Sequence, residues 1–339
     1  AILEGRFEAV ETADLLAGET GEAVEEALSL CLSCKACRRE CPSRVDIAKA
    51  KAEFLHARRA FRGPVRRILD YAFSRPEVLL SLRSLAALGR TRLHESDISR
   101  ALAVPGPLGG PRLLLFADTF SRTNDARPFL AAARVLRRNG ADLAVAAKGC
   151  CGRPAFSRGD LDLAAARGED LLKRLAPALA EGRRVVVLEP SCLSMMIEDM
   201  PDLLGEPARR LARAAVSLPA ALEEILPEAV SGSPDSRGTV LHHAHCHEKE
   251  MGQAEEWTRL LRRTGYDARL LESGCCGMAG AFGYEHPKVS RAIAGDRFLP
   301  GLAEAARAGV RLAATGTSCR DQAARFAGLT PVHPALLLE

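Results

Sequence analysis

Four of the eleven cysteines in this 339-residue chain, Cys31, Cys34, Cys37 and Cys41, stand as C-x2-C-x2-C-x3-C with Pro42 directly after them. That spacing is the bacterial ligand run for a [4Fe-4S] cluster, in which a short loop wraps thiolates around one face of the cube. Thiolates are the soft ligands that iron–sulfur chemistry selects, whereas a structural zinc site usually shows two separated C-x2-C pairs. In two-cluster runs the fourth cysteine serves the other cluster. Either all four residues hold one cluster, or Cys41 waits on a companion run, and no such run occurs in these residues.

The other seven cysteines form a pattern written twice. Cys150-Cys151-Gly152 with Cys192 is the first copy, and Cys275-Cys276-Gly277 with Cys319 is the second. Cys150 and Cys275 stand 125 residues apart, Cys192 and Cys319 stand 127 apart, and the second offset sets Cys246 opposite Thr119. The second copy therefore offers Cys246, Cys275, Cys276 and Cys319 for a second iron–sulfur cluster or a zinc ion, with His245 and His247 as alternative ligands or as hydrogen-bond donors to sulfur. The first copy offers Cys150, Cys151 and Cys192, with Asp118 and Thr119 at the remaining corner, and reads equally as a third metal site or as a structural remnant. A redox-active thiol pair is the alternative in the second copy. Gly152 and Gly277 are expected to allow a backbone conformation and a close approach that a side chain would block. His56, His94, His286 and His333 stand alone and read as surface or satisfied core residues, and His242 and His243 end a buried strand.

Short apolar runs alternate with amphipathic ones to position these residues. Strands are expected at 113–117, 141–146 and 185–188, with helices at 128–138 and 160–175 between them. The order recurs with strands at 240–243, 268–271 and 310–314 and helices at 254–263 and 289–299. This βαβαβ order implies parallel sheets with right-handed crossovers, whose carboxyl-end loops share one edge. Ahead of the repeats, amphipathic helices are expected at 21–31 and 46–61, with more helix over 69–88. Pro- and Gly-rich stretches at 104–111 and 231–236 read as linkers. The expected fold class is α/β, with a helical ferredoxin-like [4Fe-4S] domain over 1–110 and two pseudo-repeated α/β domains with parallel sheets over 111–232 and 237–339.

Composition narrows the partners. Aromatic residues make up only 4% of the chain, too few for a nucleic-acid reader built on stacking platforms, and the net charge is +4. The basic residues read as solvated helix faces, although the densest stretch, at 57–67, could meet an acidic partner domain or the inner face of a membrane. No stretch approaches twenty apolar residues, so no transmembrane segment is expected, and the cytoplasm is the default location. Grouped cysteines in a reducing compartment read as metal ligands or catalytic thiols, and an odd total argues against complete disulfide pairing. The opening Ala1-Ile2-Leu3 lacks a Met and reads as the start of a piece of something longer.

The residues just described resemble the cysteine-rich CCG-domain proteins, which include the glycolate oxidase iron–sulfur subunit, the anaerobic glycerol-3-phosphate dehydrogenase C subunit and the heterodisulfide reductase B subunit. The resemblance is carried by Cys31 to Pro42, by 115–120, by Cys150-Cys151-Gly152 and by Leu188-Glu189-Pro190-Ser191-Cys192. It continues through His245-Cys246-His247-Glu248-Lys249, through 273–285 and through Ser318-Cys319-Arg320. It is nearest to the C-terminal region of bacterial proteins that fuse an FAD-linked D-2-hydroxyacid dehydrogenase, acting on D-lactate or D-2-hydroxyglutarate, to an iron–sulfur part. What this implies is an oxidoreductase component with FAD on an upstream domain or a partner flavoprotein. Electrons would leave to a quinone or an electron-transfer protein, and a homo-oligomer is compatible with this. No G-x-G-x-x-G follows a strand here, so the substrate-oxidising site is expected elsewhere. The heterodisulfide reductase type ends each copy in C-x2-C, but here Leu193-Ser194-Met195 follows Cys192 and Arg320-Asp321-Gln322 follows Cys319. Disulfide reduction of that type, or a zinc-stabilised scaffold in the second copy, are the alternatives.

Overall fold

The computed structural model describes residues 18–61, 63–75, 92–107, 109–146, 148–226 and 237–339. The opening tripeptide, the 231–236 linker and most of the helix expected over 69–88 lie outside the described residues. Among the described residues, no helix is long and apolar enough to cross a membrane.

The molecule is mixed α/β with two parallel sheets. The first contains β1 (Arg112–Phe116), β2 (Asp142–Ala146), β3 (Arg184–Val187) and β4 (Ala215–Ser217), in the order β2-β1-β3-β4. The second contains β5 (Thr239–His243), β6 (Asp267–Leu270) and β7 (Arg311–Ala314), in the order β6-β5-β7. Every pairing is parallel. Each sheet thus sets its first strand in the middle, where the chain reverses its direction of travel across the sheet, and ligands bind at such a switch point beyond the carboxyl ends. All six expected strands fall within one residue of their observed bounds at each end. That agreement follows from β1 and β3 being covered on both faces, which writes them as unbroken apolar runs such as Leu113-Leu114-Leu115-Phe116.

The structure departs from expectation between the sheets. β4 and the short helices Pro190–Ser194, Met200–Leu204 and Leu218–Glu223 were not foreseen, because three-residue strands and five- or six-residue helices carry too little periodicity to stand out. The second sheet replaces β4 with a single parallel bridge, Ala313 to Val332. The helix expected over 289–299 is two, Pro287–Asp296 and Phe298–Arg307, broken at Arg297. One apolar cluster draws residues from both sheets, including Leu113, Leu115, Val240, Trp257, Ala268 and Ala313, so the two halves share a core. The 104–111 stretch is not a loose tether either. A Cβ at Gly106 would sit 2.0 Å from the Arg137 carbonyl oxygen, and one at Gly110 would sit 2.3 Å from that of Gly140.

The basic stretch is partly spoken for. Arg58 is buried and its Nε donates to Glu25 Oε2 at 2.9 Å, while Arg59 pairs with Asp160. These two guanidiniums tie the N-terminal helices down.

Among the isolated histidines, His333 is buried, as are His242 and His243 at the end of β5. Burial holds all three far below the usual imidazole range, His242 at about 3. Such groups are neutral when folded but bind protons when unfolded, so the stability they support is present above pH 6.5 and drains away as pH falls towards the depressed values. Each is expected to contribute a slope of about 1.4 kcal/mol per pH unit on the acid side. Acid denaturation of His333→Asn, which keeps an acceptor for the Ala335 N–H that His333 now caps, should lose one proton's worth of that slope.

Candidate metal centre

The cysteine run is wound by a backbone that few side chains tolerate. Among the described residues, the non-glycine positions with positive φ are Ser33 (52°), Lys35 (61°), Arg44 (52°) and Ala279 (40°). Two of the four lie within Cys31 to Cys41, a third follows it at Arg44, and the fourth follows Cys275-Cys276-Gly277. Left-handed residues cost on the order of 1 kcal/mol or more each and persist where surrounding structure holds them, typically at functional sites. Burial pushes the Cys34 thiol pKa up, and charges on Cys275, Cys31 and Cys37 add to the effect. The Ser33 N–H lies 3.4 Å from Cys31 Sγ, and the backbone N–H groups of Val45, Ser43 and Arg44 lower the pKa of the Cys41 thiol. Thiolates accepting backbone N–H bonds are the donor set an iron–sulfur cluster takes, and such bonds help set its potential. The run therefore fits the cluster that its spacing implies.

This loop is anchored by a buried ion network. Lys35 is fully buried, and its Nζ reaches Glu198 Oε2 at 2.9 Å and Asp199 Oδ1 at 2.8 Å. Arg153, next to Gly152, meets Asp199 from the other side at 2.6 Å, and Arg38 meets Glu198 at 2.5 Å. Glu198 and Asp199 lie on the π-helical turn Met195–Asp199 that continues the Cys192 helix, and such turns concentrate at functional sites. The second copy also grips the run, as His247 Nε2–H donates to the Ser33 carbonyl at 3.1 Å.

The two copies lay out their donors in parallel. Cys246 opens the helix Cys246–Glu250, and Thr119 opens the helix Thr119–Thr123, each just past a central strand. In the second copy, sulfur contacts run from Cys246 to Cys275, 3.9 Å apart, on to Cys276 and then to Cys319. In the first, they run from Thr119 to Cys150, Cys151 and Cys192. Hydrogen bonds from the Cys246 and Cys276 thiols, with the Gly277 N–H at 3.3 Å, pull the Cys275 sulfur down to about 3, a thiolate. The Cys246 and Cys276 thiols are correspondingly pushed up. Among the described residues, no three His, Cys, Asp or Glu groups converge as a single metal ion would need.

The histidines have duties of their own. His245 caps its helix, accepting from the His247 N–H at 3.2 Å, while Glu248 accepts from the His245 N–H at 2.6 Å in a capping box. His247 keeps a buried, unpartnered Nδ1, and both residues line one cavity with Cys246. Burial raises the Glu248 carboxyl to about 8.

Gly152 and Gly277 have φ of 86° and 79°, as the close-approach argument requires, but the approach is to protein. A Cβ would lie 2.9 Å from the Ala164 carbonyl oxygen in one case and 2.3 Å from that of Ser290 in the other. These glycines seat the cysteine loops against the following helices.

Glu189 is a residue that sequence reasoning missed. It is buried in the first copy, and its Oε2 accepts from the Thr317 N–H (3.1 Å) and hydroxyl (3.0 Å) at the start of the Cys319 helix of the second. The position matching Glu189 in the second copy is Gly316, where a Cβ would meet the His245 ring at 2.3 Å and lie 3.3 Å from Cys319 Sγ.

A cavity of about 490 Å³ opens where these pieces meet. Cys31 and Cys34 of the run and Cys246, Cys275 and Cys276 of the second copy share its wall, while Cys150, Cys151 and Cys192 do not reach it. The structure thus brings part of the run and part of the second copy to one space, without Cys37, Cys41 and Cys319. Cys151 and Cys192 lie in apolar core with Phe116, Leu193 and Met196, and Cys319 lies in another apolar cluster with Cys276 and Phe298.

Comparison with known proteins finds a cysteine-rich CCG domain over residues 119–197, starting at the residue that stands opposite Cys246. The chain is 26% identical over 358 residues to a D-2-hydroxyglutarate dehydrogenase of Pseudomonas putida, a match covering 92% of this chain and 34% of that protein. It is 24% identical over 298 residues to the glycolate oxidase iron-sulfur subunit of Escherichia coli, covering 79% and 71% respectively. A lactate utilization protein A of Oceanobacillus iheyensis is 27% identical over 194 residues, covering 54% and 74%. The chain spans about a third of the length of the dehydrogenases it matches.

Proposed function

We propose that this chain, which carries a CCG domain beside a ferredoxin-type cysteine run, is an iron–sulfur electron-transfer unit and an oxidoreductase component. It accepts electrons from a flavin-dependent D-2-hydroxyacid dehydrogenase domain or partner and passes them to a quinone or an electron-transfer protein. The observation that carries the reading is the shared cavity wall, where Cys31 and Cys34 stand beside Cys246, Cys275 and Cys276. The likeness to an iron-sulfur subunit over most of the chain supports it.

Cys31, Cys34, Cys37 and Cys41 would hold a [4Fe-4S] cluster, and Cys246, Cys275, Cys276 and Cys319 a second centre. A [4Fe-4S] cluster supplies one-electron storage and transfer between a two-electron flavin and its acceptor. The chain's own groups set the conditions for that exchange. Lys35 and the π-turn carboxylates hold the run in place, the Ser33 and Gly277 N–H groups donate to sulfur, and the Cys275 thiolate faces the cavity ready to bind metal. On this reading the chain divides into one helical domain over 1–110 and two α/β domains over 111–232 and 237–339, which the helices described within 18–61, 63–75 and 92–107 and the two parallel sheets support.

Anaerobic purification of the full chain, followed by iron and acid-labile sulfide analysis, tests the proposal. At least about four irons per chain are expected from the stoichiometry of one cluster. A lower value on reconstituted protein, or zinc in place of iron, overturns it.

A further inference from the structure

The first copy's thiols take no part in that wall, yet two of them touch. Cys151 Sγ and Cys192 Sγ are 3.1 Å apart, both buried. We propose that Cys151 and Cys192 form a thiol pair that closes to a buried disulfide on meeting a peroxide and reopens with a dithiol, giving the first copy a two-electron site of its own.

The donor set, rather than the spacing, favours a sulfur–sulfur bond over a shared ion. Among the described residues no third His, Cys, Asp or Glu converges with the pair, and their 3.1 Å separation lies between the two geometries. A disulfide bond measures about 2.05 Å, so the pair needs to close by only about 1 Å. Two thiolates on a tetrahedral ion, with metal–sulfur bonds of about 2.3 Å, would stand about 3.8 Å apart. The fourth corner here holds the hydroxyl of Thr119 where the second copy has Cys246. The carboxylate that could have helped, Glu189, is committed across the seam to Thr317. Both sulfurs ride on fixed backbone, since Cys151 precedes Gly152, which is seated against Ala164, and Cys192 lies in the helix Pro190–Ser194. Little further ordering is needed for closure.

The chemistry balances. Burial and neighbouring charge hold both thiols up, so the attacking sulfur must first give up its proton. It then attacks the peroxide and becomes a sulfenic acid as the expelled hydroxide takes that proton and leaves as water, and the other sulfur attacks it and releases a second water. Each sulfur gives up one electron, both thiol protons leave in the waters, and one hydrogen peroxide is reduced. A dithiol reverses the bond by exchange and leaves as its own disulfide. Closure would tie the loop after β2 to the helix that runs into the π-turn holding Lys35, so oxidation of the first copy would tighten the seat of the cluster run.

The test uses the full chain purified anaerobically, treated with hydrogen peroxide, alkylated under denaturing conditions and peptide-mapped. The expected product links the Cys151 peptide to the Cys192 peptide, two hydrogens lighter than the separate thiols, and reverts with dithiothreitol. Because Cys150 shares a peptide with Cys151, Cys150→Ser must retain the link and Cys192→Ser must lose it. Separate alkylation of both residues after peroxide overturns the proposal. So does a fall in iron content in Cys151→Ser or Cys192→Ser, which would make them cluster ligands. The iron count of the wild-type chain decides the electron-transfer reading independently of this result.

Discussion

Replacing Cys34 by Ser is expected to lower the iron content by about four atoms per chain and to remove the reducible signal of the cysteine run. Cys34 is the member of the run whose thiol burial pushes up. Left-handed residues stand on both sides of it, Cys31 and Cys37 act on it electrostatically, and Cys275 of the second copy does so across the cavity. A serine hydroxyl keeps the shape but gives up the soft, readily ionised donor that iron–sulfur chemistry requires. Iron and sulfide analysis alongside low-temperature electron paramagnetic resonance would read the loss. Cys192→Ser, buried in the first copy's apolar core, serves as the comparison and should leave that signal intact. Unchanged iron in Cys34→Ser would mean that the run does not hold the cluster.

The second large effect is on stability. Lys35→Met keeps much of the side-chain volume and removes a charge buried between Glu198 and Asp199. Taking away one partner of a buried ion pair typically costs about 3–5 kcal/mol, because the remaining charge stays desolvated. Asp199 keeps Arg153 and Glu198 keeps Arg38, which places the expected loss near the lower end, at about 3 kcal/mol. Chemical denaturation followed by circular dichroism measures it. A loss below about 1 kcal/mol would show that the two arginines suffice to neutralise the carboxylates. The same variant should shift the cluster signal, since Lys35 adjoins Cys34.

What the sequence made legible was what repeats or alternates. The cysteine spacings, the six strands and the equivalence of Thr119 with Cys246 all follow from short-range pattern, and the structure sets both residues at the first position of matching helices. What stayed hidden depends on pairs distant in sequence. Lys35 meets Asp199 across 164 residues, and Glu189 meets Thr317 across 128. Nothing local marks either acid as different from a solvated one. Gly152 and Gly277 were legible as backbone requirements but not as to what approaches them, because the neighbouring helix carbonyl is a tertiary fact. The roles of His245 and His247 were hidden for the same reason. Candidate ligands by type, they act in the fold as a helix cap and as a brace on the Ser33 carbonyl.

The difference between Glu189 and Gly316 means that these two positions, alike in their place after a third strand, cannot be swapped. A glutamate transplanted to 316 would drive its Cβ into the His245 ring, and a glycine at 189 would strip the acceptor from Thr317. The half that carries Glu189 thus fixes the start of the Cys319 helix in the other, 128 residues away in sequence. An engineer recombining modules of this kind would have to move both halves together.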